Sequence, residues 1–456
     1  MPIADDANPQ TGSQAGCRPR GCQVLLLFCG LLCVTLAIPG WAQETAPFPE
    51  NEPLTPEHLV AAVLQRNPSL EAQRAAMAEA AARIKTAGAL DDPMLSVSVP
   101  PATIGKAVGT REDVQVSQAL PWWGTRAARA AAARATADAA SQDVQSLALR
   151  LRAVAQSAFA DWRYIHAALE VNRHHQMLYA ELREAAKTRF AAGLASQQDV
   201  LQADVQRTML RQEGLELTQR QLTIQAGINA LLNRPADAPL PSPGPIPPVN
   251  TLPPLAALES FALEQHPDVR QLQFQERVAS EQMTLAEKAR YPNVVLSAGY
   301  NSMWDDPDMR AMIGISINVP LDQSKRRSEI DAARANAHRA EASLADLGAH
   351  LRGDLAAAYA AVDESRQSLA LYRDQLVPLA DSTLSVARSE YAAGQNNFLY
   401  VINAERDWLN AELGLARTES ELFKRLAELG RLAGTSLPLE IPRPGRTFDT
   451  EETPHE

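Results

Sequence analysis

Apolar residues recur along two long stretches of the chain at alternating intervals of three and four. In the first stretch they are Leu151, Val154, Ala158, Trp162, Ile165 and Leu169, and in the second Leu344, Leu347, Leu351, Leu355, Tyr359 and Val362. This spacing places each set on one narrow seam of a helix, which is typical of helices that pack side by side along their length. The first predicted helix, Trp122 to Thr188, has 67 residues and would be roughly 100 Å long.

Four shorter segments show the alternating pattern of strands. Leu95, Val97 and Val99 alternate with serines in MLSVSVP, and VVLSAGY follows the same pattern in the second half of the chain. The alternation predicts strands at about residues 94–100, 112–120, 293–300 and 311–319. We expect them to form two hairpins, each with one apolar face.

The chain also repeats itself. RFAAGLASQQDVLQAD begins at Arg189 and EYAAGQNNFLYVINAE begins at Glu390, and both carry an aromatic residue, two alanines and a glycine in the same order. Pro68, Pro93 and Pro121 each have a second proline 199 residues later. Such a period is far longer than that of a solenoid repeat and indicates a duplicated chain. Each half reads as one helix, a strand hairpin, a very long helix, a glycine turn and a shorter helix.

The segments outside the two repeats differ from them in composition. Residues 1–42 read as a signal peptide because Arg18 and Arg20 precede an apolar run, and cleavage is expected after Ala42. All four cysteines lie in this leader, and lipidation of Cys29 or Cys33 is an open alternative. The predicted organisation continues with an N-terminal extension at 43–53, a first repeat at 54–234, a proline-rich extended linker at 235–254, a second repeat at 255–436 and a polar tail at 437–456.

Charge and motifs narrow the possible functions. The net charge of −11 argues against a nucleic-acid partner, because phosphate binding needs clustered lysine and arginine. No phosphate-binding glycine loop, Ser/His/Asp order or paired-carboxylate motif stands out, so we expect no catalytic residues, no cofactor and no enzyme. His174 and His175 are adjacent on a predicted helix and point about 100° apart, so they cannot share a metal ion, and no metal site is predicted. The acidic second hairpin loop, with Asp305 and Asp306, could bind a cation weakly, but the sequence favours a solvated loop.

Membrane insertion would have to rely on the strands. After Ala42 no apolar run reaches the length of about 18 residues that a membrane helix needs. A soluble, half-buried sheet would show the same alternation, but the export signal, the strand lengths and the long flanking helices favour strands in a bilayer. Strands in lipid must close into a barrel, because an unpaired edge leaves backbone donors in hydrocarbon. Since about eight strands is the practical minimum for a barrel, four per chain predict an oligomer.

The duplication, the order of elements and the two turns resemble the outer membrane factor family, the TolC-like exit ducts of Gram-negative efflux and secretion systems. Both turns have the form Phe/Tyr-x-x-Gly followed by Asp-Val-Leu or Tyr-Val-Ile, and the resemblance covers roughly Leu54 to Ser436. It implies a mainly α protein with a small transmembrane β part, located in the outer membrane with a long periplasmic part. In the family, a homotrimer forms a twelve-strand β-barrel in outer membrane lipid, continued by a twelve-helix α-barrel. The implied partners are a periplasmic adaptor (membrane fusion) protein and an inner-membrane pump of the resistance-nodulation-division (RND) type.

The resemblance also assigns roles to residues of the two turns. Contact with the adaptor is implied for Gly193, Leu194, Ser196, Gly394, Gln395 and Asn396. Family members hold the tip closed partly through a tyrosine three residues before the second glycine and an aspartate six residues after the first, which are Tyr391 and Asp199 here. The best-known member has an acidic ring where this chain has Tyr400 and Asn403. Constriction is therefore expected to rest on the bulk of Tyr400 and on Asp199, with less selection for cations.

The stretch SQALPWWGTRAAR, from Ser117 to Arg129, marks the passage from the predicted barrel to the long helix. Trp122 and Trp123 suit the aromatic girdle of a membrane interface, with ordinary packing as the alternative. Pro-Trp-x-Gly followed by a basic residue resembles the heavy-metal (Czc- and Cus-like) efflux branch, which implies metal cations as cargo. Two alternatives to the efflux duct stay open: an exit duct for type I protein secretion and a periplasmic coiled-coil scaffold.

Overall fold

The structure is a computed structural model that describes residue 48 and residues 52–101, 111–247 and 252–435. The predicted signal peptide at 1–42, with its cysteines, and the polar tail at 437–456 lie outside the described residues. Most of the predicted extension at 43–53 lies outside them as well.

The two halves of the described chain contain the same succession of helices and strands. The first half consists of α1 (Pro56–Arg66), α2 (Pro68–Gly88), β1 (Met94–Ser98), β2 (Asp113–Leu120), α3 (Thr125–Ala191) and α4 (Gln197–Leu231). The second consists of α5 (Leu255–Gln265), α6 (Pro267–Lys288), β3 (Asn293–Asn301), β4 (Ala311–Asn318), α7 (Gln323–Leu371), α8 (Val377–Ala392) and α9 (Phe398–Ala433).

The opening helix of each half is broken in two, so the prediction of one helix was wrong. Proline lacks an N–H and disfavours helical backbone in the residue before it, so Pro68 and Pro267 each start a new helix. Asn67 and His266 are extended at the break, and the side chain of each accepts the N–H two residues ahead, at 3.0 Å and 3.1 Å. These caps satisfy donors that the helix start leaves free.

Helix α3 has the predicted length of 67 residues, but it begins at Thr125 and ends at Ala191. Its N-cap, Gly124, has a φ of 79°, in the left-handed region that glycine adopts without strain. Trp122 and Trp123 therefore belong to the turn between β2 and α3 and not to the helix.

The second long helix is interrupted, which the apolar spacing did not predict. Residues Tyr372–Leu376 form a π-helical turn between α7 and α8. Pro378, in the first turn of α8, lacks the N–H that would continue the regular ladder, and a proline ring crowds the carbonyl four residues earlier. The ring of Tyr372 packs on Gly414 of α9, where any β-carbon would overlap it.

The four strands form one antiparallel sheet in the order β1-β2-β3-β4, with the β2–β3 pairing joining the two halves. β1 ends at Ser98, before the predicted end, and Pro100 and Pro101 follow, which cannot donate backbone hydrogen bonds to a ladder. One face of the sheet carries exposed apolar side chains, among them Ile313 at 90% and Ile315 at 68% exposure.

Three clusters of buried apolar residues lie along the helices of the described chain. The first contains Phe159 and Ile165, the second contains Phe398, and the third contains Leu355 and Leu429. All five side chains are almost completely buried. None of the helices that the structure describes has both the length and the apolar character needed to cross a membrane.

The described part of the proline-rich linker is hydrogen-bonded to residues of the first half. The N–H of Leu54 donates to Ser242 O, and the N–H of Gly244 donates to Leu54 O, both at 2.8 Å. The indole N–H of Trp162 donates to Pro241 O at 3.0 Å. Extended proline-rich backbone can accept such bonds because its carbonyls have no internal partners.

Candidate functional site at the helix turns

The two repeated glycine turns have the same backbone geometry. Gly193 and Gly394 have φ values of 71° and 76°, which glycine adopts without the strain of a β-carbon. The residue after each glycine, Leu194 or Gln395, donates its N–H to the carbonyl five residues earlier, at 2.8 Å and 2.9 Å. This bond is the mark of a Schellman motif, which ends a helix and satisfies one of its last carbonyls.

The turns differ in how they start the following helix. Ser196 caps α4, since its Oγ accepts the N–H of Gln198 at 2.8 Å. In the second turn the N-cap of α9 is Asn397, whose side chain makes no capping bond, and the side-chain amide of the preceding Asn396 donates to Glu390 at 2.6 Å. Leu194 is 67% exposed and lies at the surface of the first turn.

Tyr391 and Asp199, which are far apart in sequence, meet between the two turns. The phenol of Tyr391 donates to Asp199 Oδ2 at 3.2 Å. The Tyr391 ring is buried and packs against Phe398, with ring centroids 5.2 Å apart. Burial, followed by the charge and hydrogen bond of Asp199, raises the pKa of Tyr391. The phenol therefore keeps its proton at neutral pH and links α8 to the first turn of α4.

Arg189 is a third member of this contact, and the sequence reasoning missed it. Its guanidinium lies over the Tyr391 ring, 4.8 Å from the centroid, and donates to Ala392 O at 2.8 Å. Cation–π contact and a hydrogen bond to a helix-terminal carbonyl both hold the second turn against the end of α3. One sequence feature sets Arg189 apart: it is the first residue of the repeated phrase, and the second copy has Glu390 at that position.

Tyr400 and Asn403 lie apart from the Tyr391–Asp199 contact. Tyr400 is 56% exposed, and both residues line a shallow groove between α8 and α9 that also includes Leu379 and Val386. Asn403 Oδ1 accepts a hydrogen bond from Arg406 at 3.2 Å. The structure thus brings together only two of the four predicted gate residues within one chain.

Comparison with known proteins identifies the family. The profile of the outer membrane efflux protein family matches residues 59–234 and 258–435, which together make up most of the chain. The chain belongs to this outer membrane efflux protein family. Nodulation protein T of Rhizobium leguminosarum bv. trifolii is 24% identical over 407 residues, covering 84% of this chain and 86% of the relative. The toluene efflux pump outer membrane protein TtgI of Pseudomonas putida is 25% identical over 292 residues, covering 58% of this chain and 59% of that protein.

Solved structures show the same fold. The outer-membrane channel OprN is 20% identical with a TM-score of 0.71, covering 84% of this chain and 90% of that chain. CusC is 15% identical with a TM-score of 0.73, covering 87% of this chain and 99% of that chain. The predicted family is confirmed. This outer membrane efflux protein is a non-enzymatic transporter of the Gram-negative outer membrane with a long periplasmic helical part.

The aromatic residues between strand and helix form a small cluster in this outer membrane efflux protein. The ring of Trp122 stacks on the ring of Tyr291 with centroids 4.9 Å apart. The ring of Trp123 packs edge-on against Trp122, with centroids 5.4 Å apart. Trp123 is 80% exposed, whereas Trp122 is partly buried and stacked on Tyr291. In the described residues, no group of three or more His, Cys, Asp or Glu side chains is arranged to hold a metal ion.

Proposed function

We propose that this efflux protein acts as a homotrimer, in which three sheets close a twelve-strand barrel in the outer membrane and the helices continue it as a twelve-helix periplasmic tunnel. The observation that carries the proposal is the open four-stranded sheet. Among the described strands, β1 and β4 each pair with one neighbour, so each leaves one edge of backbone donors and acceptors unpaired. In lipid such edges are satisfied only by closure with strands of other copies.

The exposed face of the sheet supports placement in lipid. The apolar residues of this face alternate along each strand and lie side by side in the register of the sheet: Leu95, Val97, Val116, Leu296, Ile313, Ile315 and Ile317. A largely apolar face of this kind, in which Gln118 beside Leu296 is a polar member, is costly in water and favourable against acyl chains. Trp123 and Trp122 then stand at the membrane interface, where indole rings are favoured.

The helix turns serve as the docking tip and the gate in this proposal. The adaptor would contact the surface formed by Gly193, Leu194, Ser196, Gly394, Gln395 and Asn396. The Tyr391–Asp199 hydrogen bond, with Arg189 over the ring, supports a closed tip because it ties the end of α8 to α4. Tyr400 would narrow the passage by its bulk, with Asn403 beside it.

The duct is passive in this proposal, and an RND-type inner-membrane pump supplies the energy through the adaptor. The mature chain would begin after Ala42. The pump would determine which cargo enters the duct. The relative from Pseudomonas putida is a toluene efflux pump component by name, and this similarity favours small organic molecules as the cargo. The SQALPWWGTR stretch makes metal cations the second candidate. Type I protein secretion would be the function if the chain assembles with a secretion pump instead.

The test is the mass of the detergent-extracted protein together with its conductance in planar lipid bilayers. We expect a trimer with low, steady conductance, which is the behaviour of a duct whose tip is closed. A water-soluble monomer or dimer without channel activity would contradict the proposal and favour the periplasmic scaffold. Deletion of the strand hairpins should then leave the protein's solubility unchanged.

A further inference from the structure

A buried histidine joins two helices behind the tip. His175 of α3 is fully buried, and its ring lies between two carboxylates of α9. Its Nδ1 is 2.8 Å from Glu405 Oε1 and its Nε2 is 3.0 Å from Glu412 Oε2. Glu405 is fully buried as well, whereas the side chain of Glu412 is 26% exposed.

With both glutamates ionised, the two contacts favour the doubly protonated form of the ring. A neutral imidazole carries one N–H and one lone pair, so one of its nitrogens would face a carboxylate without a proton between them. Only the imidazolium can donate to Glu405 and Glu412 at once. Glu405 also accepts a hydrogen bond from Arg388 of α8 at 3.2 Å. Two cations then balance two carboxylates, which is the condition for burying them.

Other groups around the ring do not replace this proton. Glu213 of α4 faces the cluster, and burial followed by the charge of Glu216 raises its pKa. On α3, Tyr179 is buried one turn further on and carries no charge at neutral pH, because burial raises its pKa. The Trp408 ring of α9 covers His175, with centroids 4.9 Å apart, and His174 packs edge-on against His175 at 5.7 Å.

Arg406 of α9 also carries a charge near Tyr179, where it opposes the rise in the pKa of the Tyr179 phenol. A metal ion does not fit in place of the proton. Glu405 and Glu412 approach opposite nitrogens of one ring, so a single ion cannot bind both carboxylates and the histidine.

The position of the cluster connects it to the tip. Arg388 lies three residues before Tyr391 on α8, and Glu405 lies two residues after Asn403 on α9. Along α3, His175 is 14 residues before Arg189, or about 21 Å at the helical rise per residue. Movement of the α8–α9 pair away from α3 would therefore break the His175 contacts as well as the Tyr391–Asp199 bond.

We propose that the His175 imidazolium is a proton-dependent latch that holds α9 against α3 and keeps the tip closed, so that loss of this proton favours opening. The inference rests on the proposed function, because it assumes a channel that opens at the turns. It differs from the Tyr391–Asp199 contact in that its strength depends on whether the His175 ring carries its second proton.

The sign of the pH dependence follows from the contacts. Burial disfavours charge on His175, but the hydrogen bonds and charges of Glu405 and Glu412 outweigh it and raise the pKa of His175 above its ordinary value. A raised pKa means that the latch is fully formed below the unfolded value of about 6.5. It weakens as the pH rises through the folded-state pKa. The closed state should thus be favoured in mildly acidic medium and lost in alkaline medium.

The test is conductance of the full chain in planar bilayers from about pH 6, below the ordinary histidine pKa, up to about pH 9. The variants are His175→Gln, Glu412→Gln and Tyr391→Phe. His350→Gln is the matched control, because His350 is 74% exposed and lies 3.7 Å from an exposed aspartate. Melting temperatures of the wild type and His175→Gln are recorded at both ends of the pH range.

We expect the wild type and His350→Gln to open as the pH rises, His175→Gln to conduct at every pH, and Glu412→Gln to open at lower pH than the wild type. The loss of melting temperature in His175→Gln should be larger in acid than in alkali. If wild type and His175→Gln have the same conductance at every pH while Tyr391→Phe conducts, the latch is refuted. An equal loss of melting temperature at both pH values would refute it too, since glutamine would then only weaken packing. If no variant conducts at all, the proposed channel function itself is wrong.

Discussion

Replacing Tyr391 by phenylalanine removes a single hydroxyl from the contact between the two turns. The ring would keep its place under Arg189 and against Phe398, so the change isolates the hydrogen bond to Asp199. A hydrogen bond to a charged group contributes about 1.5 to 3 kcal/mol, and the partial exposure of Asp199 places this one near the lower end.

The expected effect is a shift of the tip toward its open state. A loss of about 1.5 kcal/mol per chain corresponds to about tenfold in the closed-to-open equilibrium. If the three chains of the proposed trimer open together, the losses add to about 4.5 kcal/mol, on the order of a thousandfold. Single-channel recording would show this as a large rise in open probability, and Asp199→Ala should produce a similar rise.

Tyr164→Phe is a matched control, because the Tyr164 ring also lies under an arginine, Arg220, at 5.9 Å, but on α3 far from the turns. It should leave open probability unchanged. The double variant Tyr391→Phe with Asp199→Ala should open no further than either single variant, since both remove the same bond. Unchanged conductance in both single variants would show that the contact does not hold the tip closed.

Three further substitutions test the fold and the barrel. Gly414→Ala should lower the melting temperature, because the new β-carbon overlaps the Tyr372 ring. Gly353→Ala is the control and should not lower it, because no atom lies near its β-carbon. Equal melting temperatures for the two variants would contradict the packing of Tyr372 on Gly414. Asn67→Ala should cost about 1 kcal/mol in denaturant unfolding by removing the cap of α2, and no loss would mean that the cap is dispensable. Ile313→Lys should cost about 2 to 4 kcal/mol if this residue meets lipid at mid-membrane depth, seen as reduced folded protein in outer membranes, and a normal yield would place the residue outside lipid.

The helices and strands were largely predictable from the sequence because their periods are local. The interruptions were not. The break before Pro68 has a local signal in the proline itself, which disfavours helical backbone in the residue before it. The π-helical turn at Tyr372 depends on Pro378 together with the space that Gly414 leaves on another helix. A pattern within one helix carries no information about that space.

The candidate site was predictable only in part for the same reason. Tyr391 and Asp199 were found through the family resemblance and the position of the glycines. Arg189 and the His175 cluster depend on which helices face each other, since their partners lie about two hundred residues away in sequence. Two adjacent histidines raise the question of a metal site, but they carry no information about carboxylates on another helix.

The duplication places a simpler ion pair at the position of the first half that matches Glu405. At the shift that aligns the two glycine turns, Glu405 corresponds to Asp204, and both are carboxylates that pair with an arginine. Asp204 accepts from Arg183 at 2.7 Å at a site where its side chain is 42% exposed. Glu405 is fully buried against α3 and needs a second cation, which His175 provides once protonated. The same position thus holds a surface ion pair in the first half and a buried one in the second.

The duplication also indicates how copies join. Within the chain α3 packs along α9, and the matching pair in the other half is α8 with α4. In the described structure α8 and α4 make no comparable contact, and apolar side chains on both are left exposed: Leu201, Val205 and Met209 on α4, and Leu379 and Val386 on α8. If the same packing recurs around a ring, α4 of one copy must meet α8 of the next. The exposed stripes are then explained by the arrangement that also pairs the open edges of the sheet, which favours a closed assembly over a scaffold of single chains.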